Sequence, residues 1–547
     1  MAPSPPTQAP PPTEAWAGLE PLFTSSGLEV RPLYGPADAA GLDWERDLGR
    51  PGQFPYVRGV YPSMYRGRTW TQRQLAGFGH AQATNQRYRF LLEAGAEAIN
   101  GIFDFPTLRG LDSTDPLAQA DAGRGGVAID TLADMVQLFE GIPIERISVS
   151  LVSCNPTCNI VVQSMYFAAA KQRGLDLNDL AGTNQNDFLM ETAITTAPQV
   201  LKPRASFKLC CDAIAFCARN ARRWNPVSFA GYNYREAGCT AVQEVAFVLA
   251  NALACSQELL RRGLAFDDFA PRLSFFLSAH NDFFEEIAKY RAARRIWARL
   301  TRERFHPADP RSERFRFHVQ TAGAALTAQQ PLNNITRAAY HALAAVLGGA
   351  QSVHVDGYDE ALCIPTELAS LTALRSQQIL QLETGVTRSI DPLGGSFFVE
   401  SLTNQMEAAI LAKLQEIEER GGILRAVEEG WLHQEIADAA YQHQQGLESG
   451  AIPMVGVNCF RMDEEPHQIE IFAVPETLSV QRAKLERILA QRDPAGVERA
   501  LQAVRRCCQE DGNLMETLLE AVPAMLTQGE ITGVLQEHYG TWTPPLF

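Results

Sequence analysis

From Ala98 onward the chain repeats one arrangement of hydrophobic and polar positions. Short runs of apolar or small residues end in polar groups and are followed by long stretches whose apolar positions recur three and four residues apart. The runs are "INGIFDF", "ISVSLVSCN", "LAGTNQND", "VSFAGYN", "LSFFLSAHND", "FRFHVQTAG" and "QSVHVDGYDE". Such runs predict buried strands, and the longer spacing predicts amphipathic helices, as in "DFFEEIAKYRAARRIWARLTRERF". Alternation of this kind predicts a parallel α/β barrel, a (β/α)8 TIM barrel, with function at the carboxyl ends of its strands; a doubly wound sheet is the structural alternative. The expected organisation is a Pro-rich flexible tail over 1–30, an N-terminal extension over 31–97, the barrel over 98–400 and a mainly helical region over 401–547. The last helices read as a docking or dimerisation region.

The strands carry small hydroxylated residues where a packed barrel interior needs Val, Ile or Leu. Ser148, Ser150, Thr183, Ser228, Ser274, Thr321 and Ser352 are the examples. Side chains this small cannot fill an eight-stranded barrel. Either they line a tunnel for a long, thin, polar ligand, or some of them face outward onto helices.

Composition narrows the class. Hydrophobic residues at 46% and charged residues at 20% are those of an ordinary globular protein, and no apolar run approaches a membrane span. A net charge of −15 argues against general nucleic-acid binding, yet leaves room for a local arginine cluster that holds phosphates. The N-terminus "MAPSPPTQAPPPTEAW" lacks the basic and apolar regions of a signal peptide. Eleven cysteines in no metal-like spacing imply reduced thiols in a cytoplasm and no metal site.

Two stretches carry candidate chemistry. "YVRGVYPSMYRGRTWTQRQLAGFG" sets Arg66, Arg68 and Arg73 among aromatic and hydroxyl side chains, a composition suited to a phosphorylated nucleotide and equally to a solvated basic loop. "SFAGYNYREAGC" reads as a strand end turning into a helix, with polar groups bunched where the strand stops.

Taken together, "YPSMYRGRTWTQRQLAGF", "GVAIDT", "GTNQND", "GYNYREAG", "FAPRLSFF", "HVQTAG" and "DPLGGSFFVE" resemble the large subunit of adenosylcobalamin-dependent acyl-CoA mutases, the methylmalonyl-CoA, isobutyryl-CoA and 2-hydroxyisobutyryl-CoA mutase family, over roughly Val30 to Phe547. The resemblance implies a hollow barrel with the CoA arm threaded through it and cobalamin capping the other end. It implies a carbon-skeleton rearrangement started by an adenosyl radical, with protein groups orienting the thioester and excluding quenching. The family's Asp-x-His-x-x-Gly cobalt-binding motif does not occur here. A separate small subunit is therefore expected to bring adenosylcobalamin, in a heterotetramer built on a dimer of large subunits.

Residue by residue, the resemblance assigns CoA to Tyr61, Ser63, Met64, Arg68, Thr71 and Arg73, with Arg272 and Ser274 contributing. Leu75, Asn100, Thr183, Thr195 and Gln320 fall among the other substrate contacts, and Asn233, Gln185, Tyr232 and His318 form the catalytic group. Phe103, Phe105, Gly125, Glu236, Gly323, Ala324, Glu360 and Ala361 fall where the corrin or adenosyl group is contacted. The plainer reading of His318 is a satisfied barrel histidine, and of Phe103 and Phe105, core.

Departures from the family carry the specificity. Leu75 stands where methylmalonyl-CoA mutases have Tyr, and Thr195 where they have the Arg that pairs with the substrate's free carboxylate. Burying a carboxylate without a partner costs several kcal/mol, so methylmalonyl-CoA is disfavoured unless Arg109 or Arg124 moves in. Ile102 replaces the acid of the 2-hydroxyisobutyryl enzymes. An apolar branched acyl group remains: isobutyryl, isovaleryl or pivaloyl. Asn233 replaces the family's His, a neutral amide donor in place of a partly charged one. Loss of Tyr, Arg and His together also allows a catalytically silent paralogue acting as a structural or chaperone-like partner. An unrelated barrel lyase or aldolase is the third alternative.

Overall fold

Residues 20–194, 199–463 and 476–545 are described in a computed structural model of the chain. Nine strands, all parallel, form one sheet: β1 (Thr71–Ala76), β2 (Ala98–Ile102), β3 (Ser148–Val152), β4 (Ala181–Asn184), β5 (Trp224–Asn225), β6 (Val227–Ala230), β7 (Leu273–Ala279), β8 (Phe317–Thr321) and β9 (Ser352–His354). Their order is β5-β4-β3-β2-β1-β9-β8-β7-β6. Only Pro226 separates β5 from β6, and proline, with no N–H to give, interrupts a ladder. The Ser228 N–H then donates to the Gln185 carbonyl at 3.0 Å, which closes the ring between β4 and β6. The architecture is thus an eight-stranded barrel whose fifth strand is split.

β1 lies inside the segment that the sequence assigns to the extension, so the barrel starts before residue 98. The cause is chemical. In "TQRQLA" both faces are polar, and the outward Gln72 and Gln74 are buried at 5% and 3% exposure. Gln72 donates to Gln381 on the helix Glu367–Leu382, whereas the Gln74 amide nitrogen is buried without a partner among the described residues, so hydrophobic periodicity does not register this strand.

Along the other strands the pleat sorts residue types cleanly. Val149, Leu151, Val227, Phe229, Phe275, Leu277, Phe317, Val319 and Val353 point outward into two apolar clusters beneath the helices. Their neighbours Ser150, Ser228, Ser274, His318, Gln320 and Ser352 point inward. Most of the core therefore lies outside the barrel, and the interior is left hollow.

The region after residue 401 is packed rather than appended. Met406, Ile410 and Leu414 of the helix Phe397–Glu419 belong to one cluster, and Val504, Leu518 and Leu535 belong to the other. Thr541–Trp542 pairs antiparallel with Val200–Leu201. The end of the N-terminal tail is anchored as well. Leu22–Phe23 pairs with Glu29–Val30, and the N–H groups of Ser25 and Ser26 reach Asp282 and Glu285 at 2.9 Å. Among the described residues no helix is long and apolar enough to cross a membrane.

One fully buried ionic cluster pins the end of β7. Lys289 donates to Glu244 at 2.7 Å, to the Ser278 carbonyl at 2.8 Å and to Glu286. Glu244 also accepts from the Ser278 N–H at 2.7 Å.

Candidate active site

A cavity of about 950 Å3 occupies the barrel interior. At the amino ends of the strands it is lined by Tyr61, Ser63, Met64, Arg68 and Thr71, contributed by the segment that leads into β1. Arg73 donates to the Ser148 hydroxyl at 2.7 Å, and its Nε has no partner among the described residues. Burial lowers the Arg73 guanidinium to about 10, which still leaves it charged at neutral pH. Arg272 sits on the turn before β7, outside the lining, while Arg316 lines the cavity, donating to the Pro271 carbonyl and, at 3.4 Å, to Asn225. Burial and then mutual repulsion lower Arg272. Guanidinium groups without a carboxylate partner among the described residues give this mouth a cationic character in an acidic chain.

The middle of the cavity is a ladder of small polar groups. Asn100, Ser150, Thr183 and Asn225 stand at one level of the sheet register, which meets β1 at the apolar Leu75, and Ser228 is opposite Ser274. Asn225 donates to the Thr183 hydroxyl at 3.3 Å, and Ser274 donates to the Val227 carbonyl at 2.7 Å. Of the hydroxyl residues expected in a tunnel, Ser150, Thr183, Ser228, Ser274 and Ser352 line it. Ser148 reaches it only through Arg73. Thr321 does not line it: it is fully buried and donates to Asp356 at 2.9 Å. His318 Nδ1 is 2.8 Å from the Ser352 hydroxyl, but Nε2 has no partner among the described residues, so the reading of a satisfied histidine fails at one nitrogen. Burial, with Arg73 nearby, holds its pKa well below the usual value and keeps the imidazole neutral.

At the carboxyl ends the walls turn apolar on one side, with Leu75, Ile102, Val152 and Phe276, and polar on the other, with Gln185, Tyr232, Asn233 and Gln320. Tyr232 stacks on Phe276 with ring centroids 4.9 Å apart. Its hydroxyl accepts from Gln320 at 2.8 Å, and Gln320 also donates to Asp356 at 2.8 Å. Gln185 Oε1 and Asn233 Oδ1 are buried without partners among the described residues. Buried polar atoms are nearly always paired, so orphaned atoms of Arg73, His318, Gln185 and Asn233 along one cavity mark where a ligand bonds.

Beyond Asn233 lies a carboxyl-rich rim. Glu236 accepts from the Ala324 N–H at 2.7 Å, and its other oxygen is unpartnered among the described residues. A Cβ on Gly323 would lie 3.2 Å from Glu236, 3.4 Å from the Tyr232 hydroxyl and 3.7 Å from Glu360, so these groups face one small space. Ala361 is exposed beside Glu360. Phe105 presents its ring at 47% exposure against Gly125, where a Cβ would lie 3.1 Å from that ring and where the φ of +71° disfavours any side chain. An exposed aromatic face, a glycine-lined gap and an orphaned carboxyl oxygen fit a flat ring system and a hydroxylated sugar, as adenosylcobalamin carries. Phe103 is not at this rim; at 1% exposure it belongs to the core, as its plainer reading had it. Thr195 lies outside the described residues.

Burial and the charge of Asp356 push Glu236 up to about 8, above its usual 4.5. Between those values the folded state keeps a proton that the unfolded chain releases. Relative to a Glu236→Gln variant, which cannot titrate, the wild type should lose stability as pH rises from about 5 to about 8 and hold level above that. Melting temperatures of both proteins across this range check the prediction, and parallel curves would refute it.

Sequence reasoning missed Arg316, Asn225 and Cys154, which also line the cavity. The signal for Arg316 was present: residues 316, 318 and 320 share one strand face by period two.

The barrel is thus hollow and parallel, with a cationic mouth, a polar shaft and amides with unpartnered oxygens at its far end, an enclosed cavity suited to a long ligand. Residues 23–541 match the methylmalonyl-CoA mutase family, and the chain belongs to it. It is an acyl-CoA mutase, an adenosylcobalamin-dependent isomerase. The 2-hydroxyisobutanoyl-CoA mutase large subunit of Aquincola tertiaricarbonis is 45% identical over 96% of this chain and 93% of its own length. Methylmalonyl-CoA mutase of Rhizobium meliloti is 40% identical over 95% of this chain and 72% of its own, and the human mitochondrial enzyme 39% over 94% and 68%.

Proposed function

We propose that this chain is the large subunit of a mutase acting on a branched, non-carboxylated acyl-CoA of the isobutyryl, isovaleryl or pivaloyl type. The observation that carries this is the wall formed by Leu75, Ile102 and Val152 at the reacting end of the cavity. Among the described residues lining the cavity, the arginines are Arg68, Arg73 and Arg316. Arg73 stands one inward position before Leu75 toward the phosphate mouth. Arg109, the alternative partner for a substrate carboxylate, is 3.6 Å from Asp121 and lies over the Phe105 ring. A free carboxylate brought to this end would be desolvated without a countercharge from the described residues. Ile102 offers no acceptor for a substrate hydroxyl, which separates this chain from its 2-hydroxyisobutanoyl relative.

In this reading Arg68, Arg272 and Arg316 bind the CoA phosphates, and the Ser and Thr ladder accompanies the pantetheine arm. Gln185 and Asn233 orient the thioester carbonyl by donating from their amide N–H groups, while their unpartnered oxygens, which can only accept, face donors elsewhere on the ligand. Tyr232, fixed by Phe276 and Gln320, closes the side of the pocket and keeps water out. Glu236, Gly323, Ala324, Glu360, Phe105 and Gly125 hold adenosylcobalamin, which, when bound, supplies the carbon radical that starts the rearrangement. The cofactor arrives on a separate small subunit, in a heterotetramer. Its setting is a reducing compartment such as the cytoplasm, in keeping with eleven cysteines in no metal-like spacing.

Mixing the chain with its cobalamin-binding partner and screening acyl-CoAs by mass spectrometry tests the proposal. Isomerisation of a branched monocarboxylic acyl-CoA is expected, and efficient turnover of methylmalonyl-CoA would overturn it. Arg73→Ala and Gln185→Ala should each lose conversion. Asn233→His should raise turnover by roughly tenfold, the difference between a neutral and a charge-assisted bond of about 1–2 kcal/mol. Unchanged or abolished turnover in that variant would count against Asn233 as the carbonyl donor.

A further inference from the structure

Gln185 follows β4 and Asn233 follows β6, so their spacing depends on two different loops. The helix that carries Asn233, Gly231–Glu236, is six residues long and has no side-chain cap at its start. Its own hydrogen bonds do little to fix its direction. We infer that Asp187 is the positioning residue that locks the loop bearing Gln185 to the helix bearing Asn233.

Asp187 is fully buried, two residues after Gln185. One carboxylate oxygen accepts from the Ala230 N–H at 2.7 Å and from the Tyr234 hydroxyl. The other accepts from the Leu189 N–H at 2.9 Å and from Asn251 at 2.7 Å. Its own N–H donates to the Cys154 carbonyl at 3.0 Å, at the end of β3. Ala230 and Tyr234 bracket Asn233, so two of the four bonds grip the short helix on either side of the residue that faces the ligand. Four donors need four lone pairs, which a carboxylate has and an amide does not. Asp187→Asn therefore turns one donor against another while changing almost no volume. Tyr234→Phe removes a single tie and leaves the carboxylate in place.

The inference rests on Gln185 and Asn233 facing the thioester carbonyl, and the test separates the two statements. Calorimetry on the full chain compares isobutyryl-CoA with its thioether analogue, which lacks the carbonyl oxygen, and with free CoA. The wild type should prefer the thioester by about tenfold, the worth of one to two good hydrogen bonds. Asp187→Asn and Tyr234→Phe should bring that preference to within about twofold while CoA affinity, set at the opposite mouth, stays unchanged. A merely structural aspartate would weaken all three ligands together or none. A wild type without preference would sink the carbonyl assignment and this inference with it. A wild-type preference that survives in Tyr234→Phe and in folded Asp187→Asn would sink this inference alone. Should Asp187→Asn fail to fold, Tyr234→Phe decides.

Discussion

Ser228→Phe should abolish acyl-CoA turnover, by roughly 100-fold or more, while leaving the melting temperature within a few degrees of the wild type. Ser228 is midway along the cavity, opposite Ser274 on β7 and next to the break at Pro226. A phenyl ring there projects into open space, so it meets none of the overpacking strain that enlarging a filled core would bring. It does stand in the path that an extended arm must take from the cationic mouth to Asn233. Its neighbour Phe229 supplies the control. That ring points outward, is fully buried in the larger apolar cluster and lies 5.6 Å from Phe275. Phe229→Ala should destabilise the chain by about 3–5 kcal/mol through lost burial and a cavity. Adjacent substitutions on one strand thus separate function from stability. Denaturant titration and a turnover assay with the reconstituted enzyme read both, and normal turnover in Ser228→Phe would mean that the ligand does not pass through the barrel.

Lys289→Met should be the most destabilising single substitution of a charged residue, by about 3–5 kcal/mol, because it leaves buried carboxylates unpaired. Lys289, Glu244 and Glu286 are all fully buried. Burial pushes Glu286 up to about 7, against the pull of Lys289 and Arg235. Without the lysine, Glu286 takes up a proton and escapes part of the penalty, whereas Glu244 still holds the Ser278 N–H. Replacing all three with apolar residues of similar size should recover most of the loss, since a buried ion cluster is worth little against good apolar packing. Shifts in the denaturation midpoint measure both steps. A loss under about 1 kcal/mol in Lys289→Met would show that the cluster is not carrying its charges in the folded state.

Much of the barrel was readable as pattern. Strands such as "VSFA" and "SVSLV" alternate apolar and hydroxyl residues, a pattern that allows either a lined tunnel or hydroxyls facing the helices, and the fold turns Ser150 and Ser228 inward. Thr321 shows where the reading slipped: its residue type fits the ladder, yet its hydroxyl is turned to Asp356. β1 is hidden in the sequence because its buried outward residues, Gln72 and Gln74, are polar and break the apolar alternation of a strand. Phe103 and Phe105 look alike in sequence, and two residues separate a core ring from an exposed one.

The chain's residue order pointed to a parallel α/β fold, with a barrel and a doubly wound sheet both open, and to the chemical character of most strand faces, because periodicity is local and survives without any knowledge of neighbours. Three-dimensional packing settled that Pro226 splits a strand without opening the ring, that Arg316 lines the cavity, and that one carboxylate, Asp187, bonds Ala230 and Tyr234 on either side of Asn233. Each of those depends on contacts between residues far apart along the chain. Such contacts are set by how the helices pack the barrel from outside, and no local pattern encodes them.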